Sequence, residues 1–334
     1  MNNHKHFIGI DVSKDTLDIA INKQEQHLGH ITVSNDLKGM KAFEKKAKES
    51  KIDLQNALFC MEYTGIYNDI LLDFLSTKNY AIWLENPLAI KRSLGLQRGK
   101  SDRIDAQRIA QYAFRFQDKA QRWIPDRAAI RQLKVLVSIR ERLIKSHDSI
   151  AQPLKDYKTF MPASYKMFKQ GCKASLQTLA KDIKAVEKQI QVLIHADEKI
   201  KQQYTIATSV KGIGPVTACQ MIVSSGEFTK IQTGKQLACY AGVVPFEHSS
   251  GSSVHARPQV SHWANKKLKS YLHMAALSAI KGPGELKTYY EGQLGKGKPK
   301  MSVLNAVRNK LVLRVCACIR ANQLYDPAYS YQAA

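Results

Sequence analysis

The chain has 334 residues and a formal net charge of +23. That length accommodates two domains, each with its own core, and the charge is too lopsided for an ordinary metabolic enzyme. It calls for a polyanionic partner. Nucleic acid comes before membrane, because no segment approaches the roughly 18 to 20 consecutive apolar residues of a spanning helix. The first residues, Met1 to His6, contain no apolar core of signal-peptide length, which predicts a cytoplasmic protein.

The first strands are short. Phe7 to Asp11, Leu17 to Ile21 and Leu28 to Val33 read as β, and the alternation in Leu17-Asp18-Ile19-Ala20-Ile21 suits a half-buried antiparallel strand. Asp36 to Ser50 is helical, with Leu37, Met40, Phe43 and Ala47 on one side and lysines on the other. The apolar run Ala57 to Met61 predicts a strand ending at Glu62. Beyond Gly65 come a helix (Ile66 to Lys78), a strand (Tyr80 to Leu84) and a helix opened by Asn86-Pro87 that stops near Gly95. Strands alternating with helices indicate an α/β layer with a mixed sheet.

From Ser101 the residues Ala106, Ile109, Ala110 and Ala113 mark an apolar helical stripe. Asp102 and Asp105, three apart, share a face at its amino-terminal extension and turn toward the sheet. Taken alone, each acid has a plain explanation: a strand-end turn at Asp11, a surface residue at Glu62, a helix cap at Asp102, a first-turn charge at Asp105. Together, two at strand ends and two on an inward helix face of a basic chain, they predict a metal site. Carboxylates are the hard ligands Mg2+ requires. Two such ions about 4 Å apart activate the attacking oxygen and stabilise the leaving one in phosphodiester chemistry. The six cysteines (Cys60, Cys172, Cys219, Cys239, Cys316 and Cys318) form no C-x-x-C pair and read as reduced core residues.

After Pro125 the character changes. A basic helix runs from Arg127 to about Lys155, and a second, following a break around Pro162 and Gly171, carries Leu176, Leu179, Ile183, Val186, Ile190 and Leu193 in a coiled-coil rhythm. The two helices pair either within one chain or between chains, with a role in dimerisation expected. Ser209 to Ala218 contains a helix-hairpin-helix-like turn in which Gly212 and Gly214 let backbone amides approach a phosphate beside Lys211. A plain helix-helix turn is the alternative. Thr233 to Ala241 is helical. The stretch Phe246 to Ser253, four serines around Gly251, reads as a flexible linker, although His248, His255 and Arg257 supply the basic setting that a serine nucleophile needs. Lys266 to Ile280 and Val303 to Asn322 are helices flanking a basic glycine-rich loop, Gly292 to Lys300.

Five blocks carry a family likeness: Gly9-Ile10-Asp11-Val12-Ser13-Lys14; Met61-Glu62-Tyr63-Thr64-Gly65; Lys100 to Ala106; Gly212 to Ala218; and Tyr240 to Pro245 followed by Ser249-Ser250-Gly251. In this order and spacing the chain resembles the DEDD transposases of the IS110/IS1111 insertion-sequence family, related to the Piv DNA invertases, over nearly its whole length. The resemblance implies a RuvC-like domain of the RNase H fold at residues 1–125 with the tetrad Asp11, Glu62, Asp102 and Asp105. A helical coiled-coil or dimerisation region at 126–204 and a mainly α carboxy-terminal transposase domain at 205–325 follow. It implies a serine nucleophile, Ser250 with Ser249 in reserve, that forms a covalent phosphoserine and is completed by the acidic site of a partner subunit. DNA, a structured non-coding guide RNA and self-assembly as a dimer or tetramer are the implied partners. Candidate nucleic-acid contacts are Lys100, Arg103, Lys211, Gly212, Gly214, Lys266 and Lys267. Where many relatives carry a basic Ile-Ser-Lys-Arg-Gly-like segment, this chain has Val260-Ser261-His262-Trp263-Ala264-Asn265, and contacts made there do not carry over. The rival readings are a metal-dependent endonuclease of the Holliday-junction-resolvase type and a non-catalytic nucleic-acid-binding protein.

Overall fold

A computed structural model describes residues 4–93, 101–250, 254–260 and 264–327; of residues 247–250 and 254–259 it describes the backbone alone. The chain divides into two compact units, Met1–Pro125 and Asp126–Ala334.

The first unit runs β1 (His6–Val12), β2 (Thr16–Lys23), β3 (Gln26–Ser34), α1 (Leu37–Glu49), β4 (Ala57–Glu62), a short 3-10 turn into α2 (Asp69–Thr77), β5 (Ala81–Glu85), α3 (Pro87–Ser93) and α4 (Asp102–Arg115). The sheet order is β3-β2-β1-β4-β5, antiparallel among the first three and parallel from β1 through β4 to β5. This mixed sheet is compatible with the RNase H-like expectation. Strand periodicity sorts its two faces. Ile8, Ile10, Phe59 and Met61 join Met40, Phe43, Leu71 and Leu75 in one core, while Phe7, Leu58, Cys60 and Trp83 meet Ile109, Tyr112 and Ala113 of α4 in the other. Strand β2 departs from expectation. Leu17 through Asn22 are all buried, because α4 covers the face that alternation assigns to solvent; Ala20 packs on Ala106 and Ala110.

The second unit opens with α5 (Ala128–Phe160) and α6 (Pro162–Ala196). The break expected around Pro162 and Gly171 is one residue, Met161, with Pro162 at the first helical position, where its missing N–H costs nothing. Gly171 lies inside α6. The helices pair within the chain as an antiparallel hairpin, fastened by Arg140 on Glu187 at 2.7 Å near the base and by Tyr157 stacked on Phe168 near the tip. Val186, Ile190 and Ile194 are buried against Ile130, Leu133 and Val137. There follow α7 (Glu198–Ser209), α8 (Pro215–Ser225), α9 (Gly234–Tyr240), β6 (Pro245–Ser250), β7 (Val254–Val260), α10 (Lys266–Lys281), α11 (Glu285–Gly295) and α12 (Lys300–Ala321). Their core centres on Leu268, Leu272, Ala276, Val307, Leu311 and Val315.

Two expectations in this unit are corrected. The described part of the serine-rich stretch, Phe246 to Ser250, is not a flexible linker but strand β6, which pairs with β7 in a two-stranded antiparallel ribbon; residues 251–253 lie outside the described residues. Most of the supposed basic loop at Gly292 to Lys300 is the end of α11 and the start of α12, leaving 296–299 between them. No helix among the described residues is long and apolar enough to cross a membrane.

Candidate active site

Gly9 determines where the acids of the first unit meet. A Cβ at this position would lie 2.2 Å from both the Ala106 carbonyl oxygen and the Ala110 amide nitrogen, so only glycine lets the backbone of α4 rest on β1. Two residues further along the same face stands Asp11, and the first turn of α4 delivers Asp102 and Asp105 to it. Ser101 caps that turn, its Oγ accepting from the Ile104 amide at 3.3 Å. In the parallel β1–β4 ladder Ile10 is opposite Met61, which makes Asp11 and Glu62 the next neighbours.

The electrostatics record the convergence. Burial, then the charges of Asp102, Asp105 and Asp18, push the Asp11 carboxyl up to about 6, against the opposing pull of the Val12 amide. Glu62 is raised by burial and then by Asp11 and Asp105. Like charges crowded into a partly desolvated site resist ionising together. Asp105 is also held by its own helix, accepting from Arg108 Nη1 at 2.7 Å.

Among the described residues no group of three or more Asp, Glu, His or Cys side chains is arranged to hold a metal ion as it stands. The donor chemistry nevertheless suits a hard divalent cation. The converging groups are all carboxylates, and the raised Asp11 and Glu62 are the electrostatic signature of negative charge awaiting a positive one. Arg108 is held on Asp105 Oδ1, which leaves the carboxylate's second oxygen for a cation.

Two acids of this neighbourhood escape sequence reading. Asp18 faces Asp11 directly across the antiparallel ladder. It is buried, accepts from Thr32 Oγ1 at 2.7 Å, and lies 2.9 Å from His30 Nε2. Its alternating context assigned it to solvent. Glu85 pairs with Glu62 in the β4–β5 register and is engaged by the Tyr112 hydroxyl at 3.1 Å and the Asn86 amide at 2.6 Å. Nothing short of the ladder register identifies either.

In the second unit Ser250 and Ser249 lie on β6, opposite Val254 and His255 of β7; their side chains lie outside the description, as does Gly251. Lys100 also lies outside the described residues. Arg103 is exposed on α4. The turn at Gly212 is built for packing: φ is +97°, and a Cβ would meet Ala279 Cβ at 2.6 Å and the Ala275 carbonyl at 2.7 Å, both on α10. Gly214 stands at the cap position of α8. Lys211 donates to the Pro283 carbonyl, and Lys267 is paired with Glu141 of α5, whereas Lys266 is exposed.

Two family models and several known proteins are similar to this chain. A DEDD-type IS110 transposase model matches residues 8–156, and a second, described as "Transposase IS116/IS110/IS902 family", matches 204–291. A pilin gene-inverting protein of Moraxella bovis is 26% identical over 329 residues, 96% of this chain and 98% of that protein. The transposase for insertion sequence element IS1111A of Coxiella burnetii is 26% identical over 225 residues, 55% of this chain and 61% of its own length. A probable family 20 transposase of Pseudomonas aeruginosa is 27% identical over 180 residues, 46% of this chain and 51% of its own.

Proposed function

Because the chain belongs to the IS110 family of DNA transposases, we propose that it inserts and excises an insertion sequence by combining an acidic metal site with a serine nucleophile under the direction of a structured RNA. The observation that carries this reading is the convergence of Asp11, Glu62, Asp102 and Asp105 where β1, β4 and α4 meet.

Asp11, Glu62, Asp102 and Asp105 would hold the divalent cation, Mg2+ in our reading and as a pair. When bound, it neutralises charge on the scissile phosphate and stabilises the departing oxygen. The chain supplies the rest. Gly9 and the Ser101 cap hold α4 so that its two acids face Asp11, while Asp18 adds negative charge behind the site. Ser250 on β6, with Ser249 in reserve, attacks phosphorus: its Oγ–P bond forms as the bond to one strand oxygen breaks, that oxygen keeping the electron pair and taking up, through solvent, the proton that the serine releases. The acids completing the serine's site come from a partner subunit, in a dimer or tetramer to which the α5–α6 hairpin contributes a coiled-coil contact. The second unit is read as a helical region to residue 204 and a transposase domain beyond it. The chain's excess positive charge suits both DNA and guide RNA.

The test is strand cleavage of DNA carrying the element ends, with the adjacent non-coding transcript and Mg2+. Asp11→Ala and Ser250→Ala should each abolish it, and a protein–DNA adduct should form in the parent and not in Ser250→Ala. Cleavage that survives both Ser250→Ala and Ser249→Ala but not Asp11→Ala means that water is the nucleophile, as in a resolvase.

A further inference from the structure

The shared face of α10 and α12 holds a cluster of basic side chains with no acid among the described residues. Arg308 on α12 is 6% exposed, and its partners are neutral: Nη2 lies 2.6 Å from His273 Nδ1, and Nη1 reaches Asn305 Oδ1 at 3.4 Å. Its Nε is buried without a partner, as is Asn309 Oδ1 one residue along. No carboxylate among the described residues pairs with it. One turn of α10 before His273 stands Lys269. Burial and then the Arg308 charge depress its ammonium, and the same two causes depress His273.

The position of this cluster gives it meaning. Asn305 Nδ2 donates to the Val243 carbonyl at 2.8 Å, and the Lys269 stem passes 3.8 Å from where a Cβ on Gly242 would stand. Gly242 and Val243 form the turn that leads into β6. A buried guanidinium lacking a counter-ion is costly to the folded protein on its own. With its Nδ1 facing Arg308, neutral His273 carries its proton on Nε2 and has a donor to spare. The half-buried imidazole and ammonium, backed by the buried positive charge of Arg308, match the oxygens and the charge of a phosphate.

We propose that Lys269, His273 and Arg308 form a seat for one phosphodiester group of the DNA strand on which the β6–β7 ribbon acts. This rests on the reading that the ribbon meets DNA; it assigns that contact to residues outside the acidic site and outside the serine stretch. Filled by a phosphate, the seat gives Arg308 the counter-charge the chain withholds and fixes the backbone register of the strand relative to the root of the ribbon.

The test uses the full chain and a short DNA duplex. Affinity is measured against salt concentration, and the thermal midpoint with and without the duplex. Arg308→Met should leave the DNA-free midpoint equal to or above the parent's, weaken duplex binding about 10-fold at low salt and reduce the magnitude of the log–log salt slope by about 1. Lys269→Gln, at a half-buried position that does not endanger the fold, should lower the slope similarly. A reduced DNA-free midpoint in Arg308→Met with affinity and slope unchanged in both variants overturns the proposal and makes Arg308 structural. Ser250→Ala should keep the parent's slope. Loss of cleavage in that variant with unaltered slopes in the other two therefore sinks the seat alone, whereas cleavage retained in both Ser250→Ala and Ser249→Ala with reduced slopes in the other two sinks the serine reading and leaves the seat.

Discussion

Asp11 and Asp18 sit opposite each other across the β1–β2 antiparallel ladder, so their side chains share one face of the sheet, the face α4 covers. The charge of Asp18 is one of the causes that lift the Asp11 carboxyl to about 6. Asp18→Asn removes that charge while keeping an oxygen to accept from Thr32. The Asp11 carboxyl should titrate lower, seen by carbon NMR of labelled aspartate. The Mg2+ concentration for half-maximal cleavage should rise about 10-fold, the scale of an outer-shell residue at a metal site. An unmoved Asp11 titration shows that Asp18 is isolated from the site.

Asp11 also sets a pH dependence for the metal-free protein. Burial and the neighbouring acids raise its folded pKa from the ordinary 3.8 to about 6. The folded state therefore holds a proton that the unfolded chain releases between those limits, and stability falls as pH rises through this window. Asp11→Asn should raise the thermal midpoint at pH 7, with the gain gone below about pH 4, where both forms are neutral. Mg2+ should raise the parent's midpoint more than the variant's. A midpoint gain that persists at pH 3 points to packing instead of charge.

Gly9→Ala tests the closeness of α4 to β1. The added methyl meets backbone atoms that cannot turn aside, so the helix must shift, at a cost of about 2 kcal/mol measured by urea unfolding. Cleavage should fall further than stability accounts for, because the displaced helix carries Asp102 and Asp105 away from Asp11. Full activity in a folded Gly9→Ala protein is incompatible with this account.

Arg127 ties the base of the hairpin to the next helices. It donates to both Asp197 oxygens at 2.9 Å and, from Nε, to Glu227 at 2.9 Å, with the Glu227 side chain 5% exposed. Arg127→Ala strands a buried carboxylate that, among the described residues, keeps only Lys199, 3.7 Å away. Partial exposure of the arginine reduces the loss to about 2 kcal/mol by chemical denaturation. Arg127, by its hydrogen bonds, holds the Asp197 carboxyl below its ordinary value. The Asp197 contribution is thus present above the unfolded carboxylate pKa and disappears as pH falls through the lower folded one. The difference between parent and variant should therefore shrink in acid; a constant difference removes Asp197 from the account.

Much of this protein was legible in order along the chain. The apolar runs ending at Asp11 and Glu62, the stripe Ala106, Ile109, Ala110 and Ala113, and the rhythm through Val186 and Ile190 are local patterns. Strand and helix periodicity expresses them without knowledge of the partner surface. The elements around the acids form within a residue or two of where those patterns place them. The sequence by itself thus determined which acids stand at the ends of which elements, and that the chain needs a polyanion.

Other features depended on contacts that no local pattern encodes. Asp18 is buried because α4 crosses the second face of β2, and α4 can cross there because Gly9 has no side chain. Ser249 and Ser250 lie on a strand because β7 pairs with them, whereas composition alone described a linker. The helices α5 and α6 pair within one chain because the break between them is a single residue. Arg308 looks like any basic residue on a helix until α10 closes over it and leaves its charge without a counter-ion. In each case the deciding quantity is burial by a segment distant in sequence, which only the tertiary structure supplies.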